Sequence, residues 1–391
     1  MDKIIRCITS DGAVMASAID ASDIVFKAQK IHGLSRSATA ALGRLLCATS
    51  MMGAMLKQKD ASINLRVSGD GELGPVIAVA DSKGNVRGYV GNANCPTEYY
   101  NNGKINVSKA VGKNGVLNVM RDYGSGDPYI GQVELVSGEI AEDITNYFAT
   151  SEQIPTVCAL GVLINKEDGE VMLAGGLLIQ LLPGAFEDTI EKLEKNLETL
   201  EPVTTMLAKG MSILDICKTA LAGFEVEVLD EYSVKYVCTC SREKLERLFC
   251  TMSDDEIRAM PDENGRVVAN CHFCNKKYIF NKEDLEKIIK EKNSKDNTSK
   301  DKKSKERMLL KAESLYLLET KMYYGDKLMW SACKDTNKSI SSLFETMQQL
   351  TAQIAGDVDS INNSLKEITS IDGSEIDKNN QGLNKKLLDI L

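Results

Sequence analysis

The sequence predicts an α+β domain, then a helical linker, a small cysteine-bearing segment and a helical, coiled-coil-like C-terminal extension. Three observations carry this reading. Over residues 1–182, short strand-like runs mix with longer runs of helical spacing without regular alternation, which favours α+β over a doubly wound sheet. From residue 183 the apolar positions narrow to helical stripes. Two close cysteine pairs then fall within 232–290. A chain of 391 residues has room for two or three such units.

In the first unit, alternating or apolar runs read as strands at 3–9, 62–67, 76–80, 129–135 and 171–179. A helix is expected at 35–57, where Leu42, Leu45, Leu46, Met52 and Leu56 lie near helical spacing, and a shorter one at 139–148. The stretch 37–56 is the longest apolar one, but Arg44 and many small residues mark it as a packed helix rather than a membrane span. Gly69-Asp70-Gly71-Glu72-Leu73-Gly74 matches G-x-G-x-x-G, yet a strand-like run follows where a dinucleotide site needs a helix, so a glycine-rich hairpin is expected.

The linker, 183–231, opens on an amphipathic helix at 186–200. Ile190, Leu193, Leu197 and Leu200 recur at i, i+3, i+7 and i+10 among Glu and Lys, and 203–222 continues in helical spacing. Such a stripe docks on something, either permanently or conditionally, which makes it a candidate binding surface. After the cysteine segment, 291–306 holds no apolar residue: a solvated linker or the charged end of a helix. In the extension, 307–391, Ile340, Phe344, Met347, Ile354, Val358, Ile361, Leu365 and Ile368 alternate spacings of four and three, with Thr351 at the missing place. That is a heptad seam. No chemistry is visible in it.

Composition narrows the function. The formal net charge of -9 argues against a general nucleic-acid binder, since phosphate binding needs clustered Lys and Arg. The N-terminus lacks a secretory h-region and no membrane partner is expected, so a cytoplasmic location follows. In that compartment eleven cysteines do not make a disulfide framework, and metal or redox chemistry is the default for clustered pairs. No Walker lysine motif is present, and His32 and His272 are the two histidines, too little material for a catalytic triad; the chain does not read as an enzyme.

Cys238-Thr239-Cys240 and Cys271-His272-Phe273-Cys274 supply two tight thiolate pairs, the ligand set of a tetrahedral Zn2+ site with one ion per chain. Spacer positions of a knuckle face outward, so His272 reads as a bystander, and Cys250 as half-buried helix packing within 241–251. So small a segment folds largely on its zinc binding free energy, on the order of 10 kcal/mol. Zinc-bound thiolates are also the form oxidants attack. Chemistry alone leaves a redox sensor and a purely structural ribbon open.

From residue 3 to 290 the sequence resembles the 33 kDa chaperonin family, the redox-regulated heat-shock holdases. The resemblance rests on the cysteine frame with Cys240-Ser241-Arg242-Glu243 and Phe273-Cys274. It rests also on Gly43-Arg44, Gly69-x-Gly71, Gly74-Pro75, Arg87-Gly88-Tyr89, Tyr129-x-Gly131, Tyr147-Phe148, Ser151-Glu152-Gln153, Gly175-Gly176 and Gln180-Leu181-Leu182-Pro183-Gly184. It implies an α+β core, a metastable linker and a zinc domain that senses oxidants. The reduced, zinc-bound form would be inactive. Oxidation would form the disulfides Cys238–Cys240 and Cys271–Cys274, release zinc and unfold the linker, which would bind unfolding client proteins without ATP; the active form would dimerise. The extension departs from the family pattern. Two other classes stay open: a constitutive zinc ribbon for a nucleic acid or protein partner, and a thiol–disulfide oxidoreductase, for which the thioredoxin-like frame is missing.

Overall fold

The computed structural model describes residues 2–183 and 185–296. The heptad seam and most of the charged 291–306 stretch lie outside the described residues.

Along the chain, β1 (Lys3–Thr9) and β2 (Val14–Asp20) precede α1 (Ser22–His32) and α2 (Arg36–Ala54). Then come β3 (Ser62–Ser68), β4 (Val76–Asp81), β5 (Val86–Val90), α3 (Val107–Val111), β6 (Val116–Asp122), β7 (Tyr129–Glu134) and α4 (Ala141–Tyr147), which runs into a single π-helical turn at Phe148–Glu152. β8 (Thr156–Ile164) and β9 (Val171–Leu181) follow. The linker region holds α5 (Glu187–Glu198), α6 (Val203–Ala208) and α7 (Ile213–Ala220), then β10 (Val226–Ser233). The cysteine segment holds α8 (Arg242–Phe249), α9 (Asp254–Ala259), β11 (Arg266–Asn270), β12 (Lys277–Asn281) and α10 (Lys282–Asp296). Apart from the turn at Asp262–Asn264, the described residues form one compact unit.

The strands make two five-stranded sheets, ordered β10-β1-β2-β9-β8 and β5-β4-β3-β6-β7, and a β11–β12 hairpin. Every strand pair among the described residues is antiparallel, which suits an α+β fold. The expected strands are present, and the glycine-rich run 69–74 lies in the β3–β4 connection of a hairpin. Helix α2 lies between the two sheets and buries every residue except Arg36 and Arg44. Its small residues permit this: a Cβ on Gly43 would come within 2.7 Å of both Val25 and Val162. Arg44 is the polar exception, and its guanidinium pairs with the Glu139 carboxylate, which also accepts from Tyr100 Oη at 2.7 Å and the Ser108 amide at 3.0 Å. No helix among the described residues is long and apolar enough to cross a membrane.

The structure adds elements that periodicity did not give. β8 (TVCALGVLI) is a continuous apolar run, and such runs do not separate strand from helix by period. α1 has Ala21 at its N-cap, which supplies no side-chain acceptor; the buried Asp2 carboxylate takes the Asp23 and Ile24 amides instead, at 3.0 and 2.6 Å. Two stretches differ from expectation. The helical run 203–222 is broken at Gly210 (φ 80°), after which Ser212 and Asp215 form a capping box for α7. Residues 226–233, which span the end of the expected helical linker (183–231) and the first two residues of the expected zinc domain, are strand: β10 closes the edge of the first sheet against β1, and its charged residues suit an edge.

Two cores result. One fills the space around α2 between the sheets. The other lies on the outer face of the first sheet, where Ile5, Cys7, Val14, Ala16, Ala18, Leu177 and Ile179 meet Leu193, Val203, Met206, Ile216, Cys217, Ala220 and Leu221 of the linker helices. The linker stripe is therefore docked on the sheet: Leu193 is buried, Leu197 and Leu200 pack at the margin, and Ile190 is half-buried.

Candidate metal centre

After β10 the chain crosses from the edge of the first sheet to the edge of the second. Val86 N donates to the Lys235 carbonyl at 3.1 Å and Val237 N to the Val86 carbonyl at 3.0 Å, so residues 235–237 run alongside β5 and deliver Cys238 and Cys240 from a fixed backbone. The second pair sits in the β11–β12 turn. That turn is closed by Cys271 N to the Lys276 carbonyl at 2.9 Å and Asn275 N to the Cys271 carbonyl at 2.8 Å, with Asn275 in the left-handed region at φ 57°, where Asn is tolerated.

The sulfurs of Cys238, Cys240, Cys271 and Cys274 all lie within 4.8 Å of one another. Cys238 and Cys271 are 3.6 Å apart, Cys240 and Cys274 3.4 Å. Four sulfurs on a tetrahedral Zn2+ at the usual bond length stand about 3.8 Å apart, so the cluster fits a metal of that kind. Backbone N–H groups of Cys240, Phe273 and Lys276 hydrogen-bond the sulfurs of Cys238, Cys271 and Cys274, and Tyr278 Oη donates to Cys240 Sγ at 3.2 Å. These donors favour the thiolate. The hydrogen bond from Cys271 draws the Cys238 thiol down to about 5, and the same contact pushes Cys271 up; burial pushes Cys274 up to about 11. Crowded thiols share protons in this way, and a divalent cation that holds all four as thiolates removes the conflict.

His272 stands outside the sulfur cluster. Its ring stacks on Tyr89 of β5 with centroids 5.2 Å apart and planes at 27°. Phe273 meets the same Tyr89 edge-on and lies under the Arg87 guanidinium. Cys250 is the half-buried C-cap of α8. Arg242, two residues after Cys240, pairs with Glu246 and Asp284 and stacks on Phe280.

Sequence reasoning missed the dock between this centre and the core domain. Tyr236 is its hub. Its hydroxyl lies 2.9 Å from the Gly88 carbonyl, within reach of the Phe273 carbonyl, and 3.2 Å from His32 Nε2, and it accepts from the Gly88 amide at 3.4 Å. Asn275 Nδ2 donates to the Ile31 carbonyl at the end of α1. The metal turn is thus tied to β5 and α1 directly.

The model of the family described as Hsp33 protein matches residues 2–281. The chain belongs to the Hsp33 family. Relatives named 33 kDa chaperonin agree with this: that of Acetivibrio thermocellus is 46% identical over 289 residues, spanning 74% of this chain and 97% of the relative. That of Clostridioides difficile is 44% identical over 290 residues, spanning 74% and 99%. Among solved structures, the 33 kDa chaperonin (heat shock protein 33 homolog) of Thermotoga maritima superposes with a TM-score of 0.68 at 33% identity, covering 75% of this chain and 99% of that one. The Hsp33 match ends before the C-terminal extension, which has no counterpart in these relatives.

Proposed function

We propose that this protein is a redox-regulated, ATP-independent holdase chaperone of the cytoplasm. Its reduced form holds one Zn2+ through Cys238, Cys240, Cys271 and Cys274. The units are those read from the sequence: a core domain (1–182), a linker (183–231), a zinc domain (232–290), a charged linker (291–306) and a helical extension (307–391) to which no role is assigned. The observation that carries the reading is the gathering of four sulfurs, two from the segment after β10 and two from the β11–β12 turn, at a dock on the same core domain whose outer sheet face the linker covers.

Zinc would supply a cross-link between two knuckles and keep the sulfurs as thiolates. The protein's own residues do the rest. While the four sulfurs stay together, the turn at 271–276 keeps Phe273 and His272 on Tyr89, and Tyr236 keeps its carbonyl partners. Oxidation to Cys238–Cys240 and Cys271–Cys274 takes away the ligands and with them the fold of the segment. The linker helices then leave the sheet, and the apolar surface so uncovered, including the stripe Ile190, Leu193, Leu197 and Leu200, binds unfolding clients; the active form pairs as a homodimer. No nucleic acid, membrane or nucleotide enters the scheme.

The test is aggregation suppression of a heat-denatured client by reduced, zinc-loaded protein and by protein oxidised with peroxide at raised temperature, without ATP. Suppression is expected from the oxidised form alone. Equal activity in the reduced form would replace this reading with a constitutive zinc module.

A further inference from the structure

Cys7 on β1 and Cys217 on α7 are both fully buried, and neither belongs to the four-cysteine cluster. They sit in the cluster between the outer face of the first sheet and the linker helices, one thiol contributed by each side. Helix α7 packs on both β1 and β2, and across that seam each thiol is the leading influence on the other's titration. The contact draws Cys7 below the ordinary thiol value and pushes Cys217 above it. Val14, Ala16, Ile216, Ala220 and Leu221 belong to the same apolar cluster as the two thiols. The metal centre makes no use of either.

We propose that Cys7 and Cys217 form a second thiol–disulfide site, whose oxidation staples the linker to the core sheet and opposes its release. Docked, the pair is shielded from oxidant; it becomes reachable as α7 lifts from the sheet. A thiolate then attacks peroxide: an S–O bond forms, the O–O bond breaks, and the oxygen leaves as water after protonation. On redocking, the partner thiolate attacks the sulfenic sulfur, the S–S bond forms, and a second water leaves. Two thiols and one hydrogen peroxide give one disulfide and two waters, with two electrons passing from sulfur to oxygen. The first set of cysteines would thus release the linker, and this pair would capture it again under prolonged oxidation. The inference rests on the reading above, in which the linker leaves the sheet.

The experiment uses the full chain, zinc-loaded and reduced, treated with hydrogen peroxide at raised temperature. Non-reducing peptide mapping is expected to show a Cys7–Cys217 cross-link that accumulates after oxidation of the four clustered cysteines. In the cross-linked fraction, amides of 213–220 should exchange at least tenfold more slowly than in oxidised Cys217→Ala or Cys7→Ser. Should either variant fold poorly, cross-linked and uncross-linked fractions of the unaltered protein give the same comparison. Complete oxidation of the four clustered cysteines without this cross-link overturns the proposal, as does a cross-linked fraction in which 213–220 exchange as fast as in the uncross-linked one. Aggregation suppression by oxidised Cys217→Ala is scored separately: its absence would defeat the chaperone reading while leaving the cross-link result in place.

Discussion

Tyr236 carries more of the coupling than any cysteine ligand could from sequence spacing alone. One phenolic proton serves the Gly88 and Phe273 carbonyls, and the oxygen takes the Gly88 amide. Phenylalanine would keep the ring and strand both backbone groups, a loss of about 1–3 kcal/mol. Tyr236→Phe is therefore expected to lose zinc to a chelator under peroxide about tenfold faster; an unchanged rate would show that the dock does not support the metal turn. Asp2 makes a second residue-scale case. Burial raises its carboxyl from 3.8 to about 6, against the pull of the Ile24 and Asp23 amides. A raised folded value means that the folded chain holds the proton more tightly than the unfolded one, so stability falls as pH rises from about 4 to about 6. Two units amount to about 3 kcal/mol. Asp2→Asn should flatten that slope in urea titrations at pH 4, 5, 6 and 7; a slope equal to that of the parent would remove Asp2 as its source. At this scale the cysteine quartet was legible because ligand spacing is local. Tyr236, Tyr89 and Asp2 were not, because their partners lie on distant segments and no local pattern marks a hydroxyl or carboxylate for them.

Among the elements, the linker helices differ in how firmly they hold the sheet. α7 buries Ile216, Cys217 and Ala220, and α6 buries Val203 and Met206. α5 buries only Thr189 and Leu193, with Leu197 and Leu200 at the margin. A helix with so thin an anchor opens at lower free energy than the core strands. An Asp at Leu193 would place a charge in an apolar seam, a penalty of roughly 3 kcal/mol or more. Leu193→Asp is expected to suppress aggregation in reducing buffer with zinc still bound. A variant that stays inactive when reduced while 187–198 exchange freely would separate unfolding from function and defeat the linker account. The stripe on α5 was readable because its period is local and strong. The break at Gly210 and the strand β10 were less so: a glycine inside a helical run reads ambiguously, and an edge strand with the sequence VEVLDEYS earns its conformation from β1. Element boundaries inside the α+β core were clearest where one face alternates, as in β1, and least clear in the uniformly apolar β8.

At the scale of the whole molecule, the proposed switch requires four sulfurs to control a sheet face that is covered by the linker helices. The described contacts give a path: sulfurs to the 271–276 turn, the turn to Tyr89 and Tyr236, residues 235–237 to β5, and β10 to the edge of the sheet that the linker covers. The pattern of disulfides decides whether this path is cut or fixed. Two sulfur contacts run between the knuckles, Cys238 to Cys271 at 3.6 Å and Cys240 to Cys274 at 3.4 Å, and disulfides there would staple the turn to the 235–240 segment and preserve the dock. Disulfides within each knuckle free it. The within-knuckle pairing expected from the Hsp33 family therefore matters mechanically as well as chemically. Cys271–Cys274 is expected to close first, since a two-residue spacer forms a disulfide with less strain than one residue. Cys271 is the buried member of the four and Cys274 is half-exposed, so oxidant should meet Cys274 and Cys271 should resolve it. Cys238 and Cys240 alone are too few to hold zinc, so zinc loss should accompany the first disulfide and precede the second. Timed alkylation with mass mapping during peroxide treatment, with released zinc followed by a chromogenic chelator, reads all three events. Cross-knuckle disulfides in the active form would mean that the turn never leaves the core domain, and activation would then have to arise in the linker alone.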